Sequence, residues 1–256
     1  PIENTLSELA THFRFLEPGL LDNSLELPIT HLRKKIAPFF LRRKKSDVAQ
    51  DLPEKIDEIV WVTLTDEQQL LYDRFMAHLK AGLLKKVQHD GLKAHRMEVF
   101  EALLRLRQIC CHPCLVPQIV ESLAPEATTS GKCDLVLQDI ETLIQEGKKI
   151  VLFSQFTSML HLLAQEAQKR QWPHLLLEGQ TKDRQALVDL FQNDSRYPLF
   201  LISLKAGGVG LNLTAADYVL LYDPWWNKAQ EAQAIDRAHR IGRKDTVFSK
   251  RYYVQG

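Results

Sequence analysis

Three residues near the carboxyl-terminal end of the 256-residue sequence have the types and spacing to hold a polyanion. Gln233, Arg237 and Arg240 follow at i, i+4 and i+7. On a helix, at about 100° per residue, they share one narrow face. Ala234, Ala238 and Ile241 can pack behind them. Two guanidiniums and an amide form a fork that suits a triphosphate. The same spacing also fits a surface helix laced with salt bridges.

A second candidate is the loop Ser203-Leu-Lys205-Ala-Gly207-Gly208-Val-Gly210-Leu-Asn212. Its glycines follow a predicted strand, where ligands bind in open α/β sheets, and glycine lets backbone amides approach an anion. A tight connection between elements would use the same residues. The loop is not a Walker A motif, because no Gly-Lys-Ser/Thr follows. Ser130-Gly131-Lys132 resembles one end of such a motif but lacks the upstream glycine and strand.

Asp223-Pro224-Trp225-Trp226-Asn227 sets two indoles side by side on a loop, where one can be core and the other a lid, or a ring can face a nucleic-acid groove or base. Cys110-Cys111-His112-Pro113-Cys114 contains one Cys-x-x-Cys half-site. The only other cysteine is Cys133 and no second half-site exists, so packing is preferred over zinc and no metal site is assigned.

Composition narrows the setting. Basic and acidic residues number 33 and 32, a net charge of +1, so nucleic-acid binding must rest on local patches. One such patch is residues 31–45, with seven Lys or Arg and no acid around Ile36–Leu41. It reads as a solvated helix face beside a buried strand, or as a positive strip for phosphates or another domain. Hydrophobic residues at 45% suffice for a globular core. No membrane span or signal segment is present in the sequence. Four cysteines in a chain this long point to a reducing compartment: a bacterial cytoplasm or nucleoid, slightly favoured, or a eukaryotic nucleus.

The elements that must position these groups follow from periodicity. Leu6, Leu9, Phe13 and Leu16 predict a helix stopped by Pro18-Gly19. Thr65-Asp-Glu-Gln68 is a capping-box pattern opening a helix with Leu71, Phe75 and Leu79, and a second helix runs from about Glu98 to Pro113. From residue 130, apolar runs at Ile150–Ser154, Leu175–Leu177, Leu199–Leu204, Tyr218–Tyr222 and Val247–Val254 alternate with helices at roughly 133–146, 157–171, 182–193 and 228–241. Gly147 suits the position after the first of these helices. The fold class is α/β: a parallel sheet with helices on both faces, plus a helical insertion subdomain.

These motifs together resemble the SWI/SNF-type DNA translocase ATPases of helicase superfamily 2. Pro1–Leu9 looks like the end of that family's first ATPase lobe. Pro38–Lys45 through Lys55 resembles its inter-lobe segment, and Leu103–Leu115 its helical insertion. Lys149–Phe156, Ser203–Asn212 and Gln233–Gly242 are similar to its motifs IV, V and VI. The resemblance implies a tail of the first lobe at 1–30, a basic inter-lobe segment at 31–64, a helical insertion at 65–129 and a second RecA-like lobe at 130–256.

It also implies roles. Arg237 and Arg240 would be arginine fingers reaching ATP held with Mg2+ mainly by the first lobe, and Gln233 would line the same cleft. Gly208, Gly210 and Asn212 would sit at the nucleotide edge. Ser154, Gln155, Arg184, Ser203, Lys205 and Trp226 would contact double-stranded DNA. The partners implied are that DNA, the first ATPase lobe of the same chain and a protein substrate on the DNA, with no membrane. With no P-loop lysine and no acidic pair for magnesium in the sequence, this chain alone is expected to be inactive. Departures from the family pattern are Lys228 for its proline, Arg243 for its glutamine and Cys111 for its asparagine. The alternatives are a degenerate lobe serving as a protein scaffold and a nucleic-acid-binding module that does not translocate.

Overall fold

The computed structural model describes residues 6–21, 28–41, 53–207, 210–225, 228–240 and 245–255, without the side chains of 207, 229 and 230. The chain forms two compact units, Pro1–Asp51 and Leu52–Gly256.

In the first unit, α1 (Leu6–Leu16) and α2 (Ile29–Ile36) bury Leu9, Phe13, Leu21 and Leu32 against one another. The predicted stripe narrows to Leu9 and Phe13, because Leu6 and Leu16 are exposed. The buried strand expected around Ile36–Leu41 does not form. A 3-10 turn, Ala37–Phe39, follows α2 directly, and Phe39, Phe40 and Leu41 are exposed. Pro38 stands inside this turn, where its fixed φ suits the bend and its missing N–H could not serve a sheet ladder. Arg33, Lys34 and Lys35 are exposed in the last turn of α2. Arg42–Lys45 lie outside the described residues.

Among its described residues the second unit has six strands: β1 (Lys55–Val62), β2 (Ile150–Ser154), β3 (His174–Leu177), β4 (Leu199–Ser203), β5 (Tyr218–Leu221) and β6 (Val247–Val254). All pair in parallel, in the order β1-β6-β5-β2-β4-β3. β1 comes from the segment expected to link the lobes.

Strands β2 and β4 are buried along their whole length, which explains their unbroken apolar runs. The two-residue period divides them between two cores. Ile150, Leu152, Leu199, Leu201 and Leu220 pack under α7 (Gly131–Gln145) and α8 (Thr157–Lys169). Val151, Phe153, Phe200, Ile202, Val219 and Leu221 face the other way, against Val188 and Phe191 of α9 (Arg184–Asn193).

Between β1 and β2 the chain forms a helical subdomain: α3 (Asp66–Ala81), α4 (Leu83–Asp90), α5 (Arg96–Cys111) and α6 (Pro117–Leu123), with a core of Leu71, Phe75, Ile109 and Val116. Only half of the predicted capping box forms. Thr65 Oγ1 accepts from the Gln68 amide, but the Gln68 side chain is buried and donates to the Ile109 carbonyl at 2.6 Å. That carbonyl is one of four that the end of α5 leaves without a helical partner, so it outcompetes the local bond. After α7, Gly147 adopts a φ of 69°, and Lys148 N–H reaches back to Leu143 O, the expected left-handed stop. Among the described residues no helix is long and apolar enough to cross a membrane.

Candidate nucleotide and nucleic-acid site

Parallel pairing puts the carboxyl ends of all six strands along one edge, where Ser154, Gln155, Ser203 and Lys205 cluster at the ends of β2 and β4. Their environments differ. Ser154 is fully buried and its hydroxyl bonds the Phe156 backbone, accepting from N–H at 3.1 Å. Ser203 is also buried, and its Oγ accepts the Ala206 amide at 3.3 Å, capping the short α10 (Leu204–Gly207). Both serines were expected to face DNA; in the structure each is buried and its hydroxyl bonds a loop inside the fold. Lys205 is exposed and Gln155 half-buried. Arg184 opens α9 and donates to the Gly179 carbonyl at 2.8 Å, so the Gly179-to-Arg184 block closes on itself.

Beyond α10, Gly210 has a φ of +46° with open space around its missing Cβ, so backbone conformation rather than crowding selects glycine. Asn212 is exposed, and its carbonyl accepts from Gln192. Gly208 and Trp226 lie outside the described residues.

The arginine segment departs from the predicted helix. α11 spans Lys228–Ile235 and stops there. The amides of Arg237 and Ala238 bond back three residues, to Ala234 and Ile235, in a tighter turn. Gln233 is on the helix, whereas Arg237 and Arg240 are on this turn, so the three do not share one helical face. The cause is tertiary competition. The Arg237 carbonyl, which a continuing helix would use, accepts the Leu213 amide at 3.0 Å, and His239 Nε2 bonds the Pro53 carbonyl at 2.7 Å. Ala234 and Ala238 are buried as expected. Burial, and then the neighbouring Arg240 guanidinium, pull Arg237 below the usual arginine range. A partly buried cation crowded by a second one makes a fitting seat for phosphate.

Pro53 lies two residues before β1, so the arginine turn lies near the amino-terminal ends of β1 and β6, away from Gln155 and Lys205. The glycine loop joins the two regions. It leaves Ser203 at the carboxyl edge and, ten residues later, is bonded through Leu213 to Arg237.

Buried groups that sequence reasoning passed over organise the carboxyl edge. Asp223 is buried and accepts the Gln155 amide at 3.0 and 3.3 Å. Burial pushes its carboxyl up to about 6, against the pull of Ser154, Gln155 and Lys132. The Lys132 ammonium, also buried, donates to the carbonyls of Tyr222 at 3.4 Å and Tyr252 at 3.1 Å. Glu231, buried on α11, accepts the Trp225 amide and lies 3.5 Å from Arg251. One available signal was a carboxylate placed directly after the apolar run of β5. Around the cysteines, burial raises the Cys111 thiol strongly and the Cys133 thiol to about 12, and both pack in the core under α7 and α8. His112 Nδ1 accepts the Cys114 amide, capping a 3-10 turn.

The SNF2-related domain family matches residues 1–115, and the helicase conserved C-terminal domain family matches residues 132–242. An uncharacterized ATP-dependent helicase of Mycoplasma genitalium is 34% identical over 260 residues, covering 96% of this chain and 24% of its own length. Chromatin structure-remodeling complex subunit snf21 of Schizosaccharomyces pombe is 35% identical, over 86% of this chain and 19% of its own. The chain thus spans about a quarter or less of these curated relatives. The Sulfolobus solfataricus SWI2/SNF2 ATPase core in complex with dsDNA has a TM-score of 0.65 at 30% identity, covering all of this chain and 56% of that one.

Proposed function

The chain belongs to the SNF2-related, SWI/SNF-like helicase family, and on that premise we propose that it supplies the second ATPase lobe of a double-stranded DNA translocase. The observation that carries this reading is the Leu213–Arg237 bond. Through it a single loop runs from Lys205, at an edge suited to a phosphate backbone, to an arginine turn suited to a triphosphate. A change at one end is transmitted along eight residues of chain to the other.

In this reading Arg237 and Arg240 neutralise charge on ATP held mainly by a first lobe, Gln233 lines the cleft, and Gly208, Gly210 and Asn212 border the nucleotide. Magnesium, when bound with ATP, supplies further neutralisation of the phosphates. Gln155, Arg184, Lys205 and Trp226 meet the DNA strand, while Ser154 and Ser203 shape the loops that present them. Residues 1–30 and 31–64 would belong to the first lobe and the inter-lobe segment, with 65–129 inserted before the lobe at 130–256. A protein substrate on the DNA is a further expected partner.

The test has two arms. This chain alone should show only background ATP hydrolysis; robust DNA-stimulated turnover from pure material would overturn the division of labour. Its DNA affinity should fall steeply with salt, as phosphate contacts require. A flat salt response would favour a protein scaffold.

A further inference from the structure

Four consecutive residues after β5 are each fixed by a different group. Tyr222 donates its hydroxyl to the Cys111 carbonyl at 2.8 Å. Asp223 accepts the Gln155 amide. The Pro224 carbonyl accepts from Arg107 Nη2 at 2.9 Å. The Trp225 amide donates to Glu231. Two of these four anchors, Cys111 and Arg107, lie on α5, one helical turn apart on the helical subdomain, more than a hundred residues away in sequence.

The end of α5 is itself held firmly. The Cys111 carbonyl, one of those left open by the helix terminus, accepts from both Tyr222 and Ser130 Oγ, each at 2.8 Å. The Ile109 carbonyl accepts from Gln68. Arg107 therefore projects from a fixed platform, and its half-buried guanidinium makes a charge-assisted bond to a loop carbonyl. Pro224 has no N–H, so its carbonyl is the one backbone group by which that residue can be held.

We infer that Arg107 is a positioning residue through which the helical subdomain sets the orientation of the tryptophan-bearing loop Asp223–Trp225. This rests on the proposed translocase reading for its consequence, but not for its geometry. Losing the bond frees Pro224 while Tyr222, Asp223 and Trp225 keep their own partners. The loop then samples other arrangements without the fold being lost. A charge-assisted hydrogen bond of this kind biases such a population by roughly tenfold. Movement of the helical subdomain would reach Trp225 by the same route.

The experiment compares wild type with Arg107→Met, which keeps the stem and removes the donors, and Arg107→Lys, which keeps a charged donor. Amide hydrogen exchange on this chain should be faster by about tenfold at Asp223 and Trp225 in Arg107→Met, with other segments unchanged and partial recovery in Arg107→Lys. In the intact protein, base pairs translocated per ATP should fall in Arg107→Met and recover in part in Arg107→Lys, with hydrolysis in the absence of DNA unchanged. Unaltered exchange in folded Arg107→Met overturns the positioning role outright. Altered exchange with an unaltered coupling ratio overturns its consequence for translocation. Failure of the wild-type protein to translocate counts against the proposed function, and the exchange result then decides the positioning role by itself.

Discussion

Asp223 accepts the Gln155 amide on both carboxylate oxygens, at 3.0 and 3.3 Å, joining the end of β5 to the end of its neighbour β2. A buried carboxylate thus does the work of a backbone ladder where the strands have run out.

That arrangement predicts a pH dependence. Burial raises Asp223 from its ordinary 3.8 to about 6, so the folded chain holds this proton more tightly than the unfolded chain. The stability it contributes is greatest below about pH 4 and is lost as the pH rises through about 6, by about 3 kcal/mol in all. Asp223→Asn removes the titration. Denaturant unfolding at about pH 4 and about pH 8 should show wild type losing stability relative to the variant at the higher pH. Parallel behaviour of the two proteins would contradict the assignment.

Gly131→Ala should destabilise the second unit. A Cβ there would stand 2.4 Å from the Thr63 carbonyl oxygen, and neither backbone can move without shifting β1 or α7. Such overpacking costs about 1–3 kcal/mol, which outweighs the roughly 1 kcal/mol that alanine gains in a helix. The midpoint of urea unfolding measures it, and an unchanged or raised midpoint would show that the turn yields.

Arg240→Ala in the intact protein should lower DNA-stimulated ATP hydrolysis by roughly a thousandfold or more while leaving DNA affinity nearly intact. Turnover close to wild type would remove Arg240 from the proposed finger role.

Trp226→Ala should reduce translocation more than hydrolysis, read as base pairs moved per ATP in a triplex-displacement assay. A coupling ratio equal to wild type would leave Trp226 as a packing residue only.

The parallel sheet was legible because β2 and β4 are apolar on both faces, and a short strand of that kind must be covered by helices above and below. β1 was harder to read. Its Lys55, Asp57 and Glu58 break the apolar run, because an edge strand needs only partial burial. The identity of the arginines was legible but their geometry was not: bonds from Leu213 and to Pro53 end the helix early, and no local pattern encodes a partner from another segment. The burial of Ser154 and Ser203 was illegible for a related reason, since a hydroxyl at a strand end serves a ligand or a loop equally well in sequence. Lys132 was set aside with a false Walker motif, and its burial beneath the carbonyls of Tyr222 and Tyr252 emerges only once the sheet is assembled.

The placement of β1 also governs the order in which the molecule can be made. Among the described residues its one sheet partner is β6, and Asp57 meets Ser249 across a separation of 192 residues. During synthesis β2, β3, β4 and β5 can assemble from contiguous chain, whereas β1 must wait, unpaired, until β6 has emerged. Closing so long a loop is slow. The β1–β6 pairing is therefore a late seam of the sheet, and a nascent chain that stalls before Val247 would leave β1 unpaired for as long as the stall lasts.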